Sequence, residues 1–469
     1  VNLAGRDQHD QYFFEDTMSM MQGDIRTPSC YLGARDILRR HFMAFCFDRW
    51  AAASPDSNHI PFIVRLLRVK SLPIGDQRFV FNRIADFISN NKAGLFAAFQ
   101  QKYTDDEALL AIQQIEIDLQ ADQPIQQLRA IHQNLLNELD YYKRKMTDID
   151  GQLKKLPNTG PDTEALKAEK RALSGAIYNI NKRNTIEHLT NLGILPNYAF
   201  PETGVRINAQ IISKVDDQNG GARYRIEEFG EIVRPASSAI TELAPGNIFY
   251  SQGHKLESQG IEIFSSDAYE TWRFCSNCDA LQLEVNIPKD QNLCPKCKHN
   301  SWGSLANKKM LVKLQGVLSV NDREASKISD SSDDRERKFY NKSIHLRTDP
   351  KSSRGAKVLK RIPFGIEFFT SADYFEVNTG IREEAFWGNR RLQINDRENP
   401  EVGFVVCKTC GKATERPLTQ FELDKRIRSY HFGYCANRAA IYPGHRDDSF
   451  HELYVYRRFQ TEALKVLLP

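Results

Sequence analysis

The sequence predicts a multidomain α+β protein, and three observations lead to that prediction. Apolar residues recur at helical spacing through the first part of the chain and alternate with polar residues after residue 193. The second half carries Cys-x-x-Cys pairs whose spacing is typical of small metal-stabilised folds. With 469 residues the chain is also too long for one hydrophobic core, so about two to four domains are expected.

Composition narrows the class of protein. Charged residues make up 26% and aromatic residues 10% of the chain, and the net charge of +4 does not by itself require a nucleic-acid partner. No apolar run approaches the roughly 18 residues of a membrane span, and the first ten residues lack the apolar core of a signal peptide. Seven of the nine cysteines lie in or beside Cys-x-x-Cys pairs, which favours the reducing cytoplasm over a disulfide framework. We therefore expect a cytoplasmic protein without membrane contact.

The first residues indicate a piece of a longer polypeptide. Val1 opens an apolar stretch with no cap or polar leader, so we expect this chain to be the C-terminal part of something longer. His9 and Asp10 could form a metal or acid–base pair. Nothing else in residues 1–25 is placed to join them, and a surface loop is favoured.

Residues 26–120 are predicted to form a helical domain. Apolar residues recur at helical spacing from Gly33 to Ala53, with arginines among them, and residues 79–99 continue the pattern. A buried apolar face with a solvated basic face is expected, and a DNA-facing helix is the alternative. Asp106-Glu107-Ala108 resembles a Walker B box, but no apolar strand precedes it. Thr104 is instead placed to cap a helix there.

Residues 121–192 are predicted to form an antiparallel helical hairpin that projects from the body. Apolar residues repeat at steps of three and four along two seams that flank the breaker Pro157 to Pro161. The seams consist of Leu128, Ile131, Leu135, Leu139, Tyr142, Met146, Ile149, Leu153 and Leu156, then Leu166, Leu173, Ile177 and Ile180. Such an arm could be a spacer, a partner-docking surface or a wedge on nucleic acid.

Residues 193–270 are predicted to form a small β-domain, because the period of the pattern changes to two from Val205 to Ile211 and turn residues follow at Asn219-Gly220-Gly221. Residues 271–303 are predicted to be a zinc ribbon inserted after it. Residues 304–469 are predicted to form a mixed α/β C-terminal domain with a second zinc knuckle.

The ribbon carries the strongest chemical signal in the chain. Cys275 and Cys278 form one pair and Cys294 and Cys297 another, with fifteen residues between the pairs (294 − 278 − 1). Each pair offers two thiolates from one tight turn, so two turns complete the four-ligand shell of a structural zinc ion and leave no position for chemistry. The alternative is four reduced thiols without a metal.

A second zinc site is predicted near the C-terminus. Cys407 and Cys410 form the knuckle, and Cys435 follows twenty-four residues after Cys410 (435 − 410 − 1). His431 is the expected fourth ligand, with His445 as its substitute.

Two basic stretches are candidates for contact with DNA phosphates. The span from residue 341 to 361 has seven basic residues against one acid, Asp349, and small residues that suggest a flexible loop; a solvated surface loop is the alternative. A second stretch, Phe386 to Arg391, places aromatic residues beside arginines, a combination that can stack on bases. Aromatic residues of the core with charged residues on the surface beside them would explain the same pattern equally well. The candidate residues are Lys342, Arg347, Lys351, Arg354, Lys357, Lys360, Arg361, Arg390 and Arg391.

Several stretches, in this order, resemble one family. They are the opening GRDQHDQYFFEDTMSMMQGDI, the helix DILRRHFMAFCFDRW, the runs Leu195 to Pro201 and Arg234 to Gly246, both cysteine clusters and the closing FQTEALKVLLP. Together they cover most of the chain. They are similar to the cysteine-bearing C-terminal region of very large DEAD/DEAH-box helicases of superfamily 2, a group that includes MrfA-type repair helicases and the anti-phage helicases of the Druantia and DISARM systems. The long hairpin favours the Druantia type.

The resemblance implies an ATP-driven DNA motor of antiviral defence, with this chain as its accessory end. Residues 1–25 would complete the second RecA-like helicase domain, and ATP and Mg²⁺ would bind in a helicase core outside this chain. The one Gly-Lys pair, Gly411-Lys412, is followed by Ala413 and lies in a knuckle, so the sequence has no P-loop. No Gln-x-x-Gly-Arg-x-Gly-Arg motif occurs either, and ATP hydrolysis is assigned to no residue here.

We therefore expect the non-catalytic C-terminal part of an ATP-dependent DNA helicase or translocase. It would bind and guide single- or double-stranded DNA together with the rest of the helicase polypeptide. The alternative is a zinc-containing interaction scaffold that docks partner proteins of a defence or repair complex. A nuclease is disfavoured, because the sequence has no His-x-Lys-x-x-x-x-Asp motif and no clustered acid–lysine core.

Overall fold

The structure is a computed structural model. It describes residues 8–16, 18, 33–53, 60, 63, 79–158, 160–197, 204–216, 222–228, 232–264, 268–278, 280–323, 326–328, 338–359, 364–381, 403–414, 431–433, 435 and 450–467. Within these residues the architecture is α+β, as predicted: helices dominate before residue 192, and strands dominate after it. No helix in the described part of the chain is long and apolar enough to span a membrane.

Eight helices precede the first strand of the described chain. They are α1 (Gln8–Glu15), α2 (Arg35–Ala53), α3 (Val80–Asn90), α4 (Lys92–Gln100), α5 (Asp106–Gln120), α6 (Gln123–Leu153), α7 (Pro161–Lys182) and α8 (Thr185–Asn191). Short polar side chains cap α5 and α8. The N–H of Ala108 donates to the Asp105 carboxylate (3.0 Å), so Asp105, and not Thr104 as expected, caps α5. The Asn184 side chain accepts two N–H groups at the start of α8.

Helices α6 and α7 form the expected hairpin, but it does not stand clear of the body. The predicted seam residues Leu128, Leu135 and Leu139 are buried in one core that also holds residues of α2 to α5. A second face of α6 is buried too, because Tyr141 and Tyr142 pack against Phe264 with ring centroids 5.3 and 6.3 Å apart. A helix that is apolar on two faces has neighbours on both, so α6 is a packed central helix along much of its length.

In the described part of the chain, sixteen strands and one α-helix follow, with short 3₁₀ helices between some of the strands. They are β1 (Gly204–Asp216), β2 (Ala222–Glu228), β3 (Ile232–Pro235), α9 (Ala236–Glu242), β4 (Ile248–Ser251), β5 (His254–Glu257), β6 (Gly260–Ile261), β7 (Tyr269–Phe274), β8 (Leu281–Leu283), β9 (Lys308–Lys313), β10 (Gly316–Asp322), β11 (Tyr340–Thr348), β12 (Ser353–Val358), β13 (Gly365–Ile381), β14 (Phe404–Cys407), β15 (Ala413–Thr414) and β16 (Phe450–Leu467).

The first sheet has the order β2-β1-β10-β6, with β3 also paired to β1. The alternation expected of β1 is present, since Val205, Ile207 and Ile211 are buried in a core shared with α9. Strand β10 pairs parallel to β1, with Arg206 opposite Gly316. The sheet therefore takes one of its inner strands from beyond the ribbon, a long-range pairing that periodicity alone does not reveal.

The second sheet has the order β11-β13-β16-β9-β7-β8, with β12 paired to β13 and the two-stranded unit β14-β15 joined through β14 to β16. Strands β11 and β12 both pair antiparallel with β13, on the side opposite β16. The basic span expected as a flexible loop is thus largely strand. Edge strands accept charged side chains readily, because one of their two backbone edges faces solvent, and a polar composition does not distinguish them from loops.

Candidate metal centres

The first cysteine knuckle is built at the end of β7. Cys275 follows the last residue of that strand, and its N–H donates to the carbonyl oxygen of Ala280 (3.0 Å). This bond closes a tight turn, and the N–H of Asn277 points at the Cys275 sulfur (3.4 Å). The turn and the start of β8 thereby hold Cys275 and Cys278 on the same side.

The second knuckle lies in the loop after β8. The carbonyl oxygen of Cys294 accepts the N–H of Lys298, and the N–H of Cys294 donates to the carbonyl oxygen of His299, both at 3.0 Å. Lys298 adopts a left-handed backbone conformation with φ of 61°, which turns the chain back at this point. Trp302 is fully buried against Cys275 and Cys294 and forms the small core of the ribbon.

The four sulfurs of this first cluster have the geometry of a metal site. Cys275 and Cys297 Sγ lie 3.5 Å apart, Cys278 and Cys294 Sγ lie 3.7 Å apart, and all four sulfurs lie within 4.8 Å of one another. A tetrahedral ion with metal–sulfur bonds of about 2.3 Å places neighbouring sulfurs about 3.8 Å apart. A disulfide requires about 2.05 Å. The cluster can therefore hold a metal ion, and its four ligands leave no open coordination position.

The thiols of the first cluster differ in acidity. Burial raises the pKa of Cys278 to about 12, whereas hydrogen bonds from the His299 N–H and from Asn277 lower the pKa of Cys297 to about 6. Cys297 therefore deprotonates more readily than Cys278. Metal ions bind the thiolate form, so a metal ion held by this cluster would keep its cysteines deprotonated.

The second cluster is assembled from β14 and a separate segment. Cys407 is the last residue of β14. Its N–H donates to the carbonyl oxygen of Lys412, and its own carbonyl oxygen accepts the N–H of Gly411, both at 2.9 Å. Gly411 has φ of 78°, and a Cβ there would overlap the carbonyl oxygen of Ile261. The knuckle therefore requires glycine at this position.

His431 and Cys435 complete this cluster. The Nδ1 atom of His431 lies 3.2 Å from Cys407 Sγ and 3.4 Å from Cys435 Sγ, and the two sulfurs are 3.8 Å apart. With Cys410, all four ligand atoms lie within 4.8 Å, and all four residues are buried. The expected set of three cysteines and His431 is brought together, whereas His445 lies outside the described residues.

Charge is concentrated around the second cluster. Burial alone would lower the pKa of His431, but its contacts with the thiolates of Cys407 and Cys410 raise it to about 10. Hydrogen bonds from the Cys410 and Cys435 thiols lower the pKa of Cys407. Metal ions bind the thiolate form of cysteine and the neutral form of histidine, so a metal ion held by this cluster would leave His431 neutral.

The second cluster lies where the main parts of the fold meet. Cys407, Cys410 and Cys435 belong to the same core as helices α2 to α8, while Val406, beside Cys407, belongs to the core of the first sheet. The N–H of Ile261, in β6, donates to the carbonyl oxygen of Gly411 (2.9 Å). Through β14 the knuckle also joins the second sheet. Among the described residues, the first cluster belongs to a separate, small core that it forms with Trp302.

Two predicted DNA-contact residues are engaged by acidic partners. Lys342 on β11 forms an ion pair with Glu376 (2.7 Å), and Arg347 forms one with Asp373 (2.6 Å). Both carboxylates are buried and belong to β13. The sequence count of local charge missed them because β13 is distant along the chain.

Two others are exposed on β12. Lys357 and Arg354 face solvent, with the Arg354 guanidinium 5.7 Å from the ring centroid of Phe368. The side chain of Lys351 is outside the described part of the structure. Lys360, Arg361, Arg390 and Arg391 also lie outside the described residues, and their expected DNA contacts stay predictions.

Comparison with known proteins gave no match, whether with protein-family models, with curated proteins or with solved structures. The function is therefore argued from the sites themselves.

Proposed function

We propose that both clusters bind Zn²⁺ and that the ions are structural. Thiolate and imidazole ligands at the corners of a tetrahedron are the donor set that zinc prefers in structural sites. The sulfur–sulfur separations of 3.5 to 3.8 Å are the observation that supports this most directly. Four protein ligands in each cluster leave no position for a water or a substrate, so the sites brace the fold and do no chemistry.

We further propose that the chain is the non-catalytic, DNA-binding C-terminal part of an ATP-dependent DNA helicase of the anti-phage type. The support is the resemblance of its sequence landmarks, both cysteine clusters among them, to the cysteine-bearing C-terminal region of that family. ATP and Mg²⁺ belong to the helicase core, which is not in this chain. DNA, the rest of the helicase polypeptide and defence-system proteins are the proposed partners, and the cytoplasm is the proposed location.

The proposed DNA-contacting surface is centred on β12. Arg354 and Lys357 are exposed there, on a strand at the edge of the second sheet. Lys342 and Arg347 lie on β11 along the same side of β13, and each is engaged by a buried carboxylate, Glu376 or Asp373, that also pairs with Arg457 or Arg458 of β16. Phosphate contact is therefore assigned first to Arg354 and Lys357.

Fluorescence anisotropy with single- and double-stranded DNA at two salt concentrations tests this function. Changing both Arg354 and Lys357 to Gln should weaken binding and reduce the slope of log K against log[salt] by about 1.4 to 1.8, since each lost phosphate contact removes about 0.7 to 0.9. The matched control changes Lys154 and Lys155 to Gln, because these exposed lysines after α6 lie outside the proposed surface. Equal effects of the two double variants, or no effect of either, would reject the β12 surface.

A protein-docking scaffold is the second candidate, and one observation favours it. The ribbon and the residues directly after it expose large apolar side chains, with Val285 at 83%, Leu305 at 77% and Leu293 at 51% exposure. When such side chains form one contiguous patch, the patch is typical of contact sites for other proteins. Absence of DNA binding at both salt concentrations, with zinc still present, would favour this candidate over the helicase proposal.

A further inference from the structure

Lys145 is a buried cation on the central helix of the fold. It lies in α6, and only 3% of it is exposed. Its Nζ atom lies 2.5 Å from the Tyr141 hydroxyl oxygen, and the same ammonium group is 4.0 Å from the centroid of the Tyr141 ring. A buried ammonium group is costly unless opposite charge or hydrogen-bond acceptors compensate it. Tyr141 supplies part of that compensation, and the charges of Glu262 and Glu169, together with Cys410 and Cys435 of the second cluster, supply more.

The position of Lys145 relates it to the second metal centre. Its Nζ atom lies 3.3 Å from the carbonyl oxygen of Cys410, 265 residues away in sequence. The Tyr141 hydroxyl approaches the same knuckle, because a Cβ built on Gly411 would lie 3.5 Å from it. One turn of α6 therefore places a hydroxyl and an ammonium group against the backbone of the cysteine turn.

The charge of the cluster explains why a cation belongs there. A divalent ion with three thiolates and one neutral imidazole carries a net charge of −1. This charge would be enclosed among Cys407, Cys410, His431 and Cys435, all of them buried. In such an environment the attraction between opposite charges is much stronger than in water, because little solvent screens it.

We propose that Lys145 is the counter-charge of the second metal centre, so that metal binding there and the docking of α6 on the knuckle stabilise each other. The proposal rests on the proposed zinc at this cluster. Coupling of this kind is reciprocal: if a docked α6 strengthens metal binding, bound metal strengthens the docking of α6 by the same free energy. The occupancy of the second centre then determines how firmly the helical hairpin is held.

Lys145→Met removes the positive charge of Lys145 and keeps the shape of its aliphatic side chain. Methionine is unbranched and close in length, so it can fill the channel that the lysine stem occupies. Zinc affinity is measured on the full chain by stepwise competition with a chromogenic chelator, with zinc alone as the probe. One of the two ions should be bound 10- to 100-fold more weakly in the variant, as for other residues that support a metal's ligands. The ribbon ion should be unchanged and serves as an internal control.

A purely structural role predicts a different pattern. If Lys145 only packs, Lys145→Met should lower the thermal midpoint equally with zinc and with excess chelator, and both zinc affinities should be unchanged. That result would overturn the proposal. The proposal predicts a larger fall in the midpoint with zinc than with excess chelator, because only the zinc-bound cluster carries the negative charge that Lys145 offsets. Lys154→Met, at an exposed position directly after the same helix, should change neither the thermal midpoint nor the zinc affinities.

Tyr141→Phe provides a second test if Lys145→Met does not fold. It keeps the ring beneath the ammonium group and removes the hydroxyl that Lys145 contacts, so it should weaken the same ion to a smaller degree. Unchanged affinity for both ions in Tyr141→Phe would count against the proposal. A wild-type chain that binds no zinc at all would instead reject the proposed function, and the two failures are thereby distinguishable.

Discussion

Gly411 shows how one residue determines the geometry of a metal knuckle. Its φ of 78° and the carbonyl oxygen of Ile261 beside it exclude any side chain. We predict that Gly411→Ala lowers the free energy of unfolding by about 1–3 kcal/mol, the range for strained left-handed positions, and weakens zinc binding at the second cluster. Denaturant titration and chelator competition measure the two effects.

Gly94 is the matched control for that substitution. It lies inside α4, and a Cβ there would meet open space. Gly94→Ala should therefore stabilise the protein by about 0.5–1 kcal/mol, because alanine loses less backbone entropy in a helix. Equal destabilisation by both glycine substitutions would contradict the role given to the knuckle.

Two buried residues of the helical core, His188 and Glu138, should make the folded protein less stable in acid. Glu138 is buried between Arg183 and Arg206, with oxygen–nitrogen distances of 2.6 to 3.2 Å. Burial would raise the pKa of Glu138, but the charges of Arg206 and Arg183 lower it to about 2. Burial, together with Arg183, lowers the pKa of His188 to about 3. Both residues thus resist protonation in the folded protein.

The direction of the pH effect follows from these two pKa values. Below about pH 6.5 the unfolded chain protonates His188 while the folded chain does not, so acid favours unfolding. The stability contributed by His188 should fall by about 2 kcal/mol between pH 6.5 and 5. Glu138 adds a further loss from about pH 4.5 down to about 2. His188→Gln should flatten the fall between pH 6.5 and 5 in denaturant titrations, and an identical pH profile for the variant would reject this account.

The two cysteine clusters should behave differently as structural elements. The ribbon has its own small core of Cys275, Cys294 and Trp302, whereas the second cluster shares a core with the helices. We predict that Cys294→Ser increases hydrogen exchange within residues 275–302 and leaves the helices protected. Cys407→Ser should increase exchange widely, α6 included, and lower the thermal midpoint more. Similar exchange patterns in the two variants, measured by mass spectrometry, would show that the second cluster does not join the parts of the fold.

Local patterns predicted the elements whose signals lie within a few residues of one another. The cysteine spacings, the hairpin seams and the alternation in β1 were all visible in the sequence, and the described residues form the expected clusters, helices and strand. The cap on α5 was assigned one residue too early, because Thr104 and Asp105 are both good caps by residue type. Which side chain accepts the N–H depends on backbone geometry that composition does not contain.

At the scale of the whole molecule, the features that sequence reasoning missed are long-range pairings. The parallel contact of β10 with β1, the ion pairs of Lys342 and Arg347 with β13, and the contact of Lys145 with Cys410 each join residues far apart in the chain. No periodicity encodes such contacts. The expected projecting hairpin and flexible basic loop failed for this reason, since each has a partner that only the folded chain supplies.

We propose that two zinc ions brace this protein, one within the ribbon and one where the helices and both sheets meet. Elemental analysis of the purified chain by mass spectrometry counts these ions, with Cys294→Ser and Cys407→Ser analysed in parallel. We expect two zinc ions per wild-type chain and one in each variant. A wild-type chain free of zinc, or variants that keep both ions, would show that the two clusters are not the structural zinc sites.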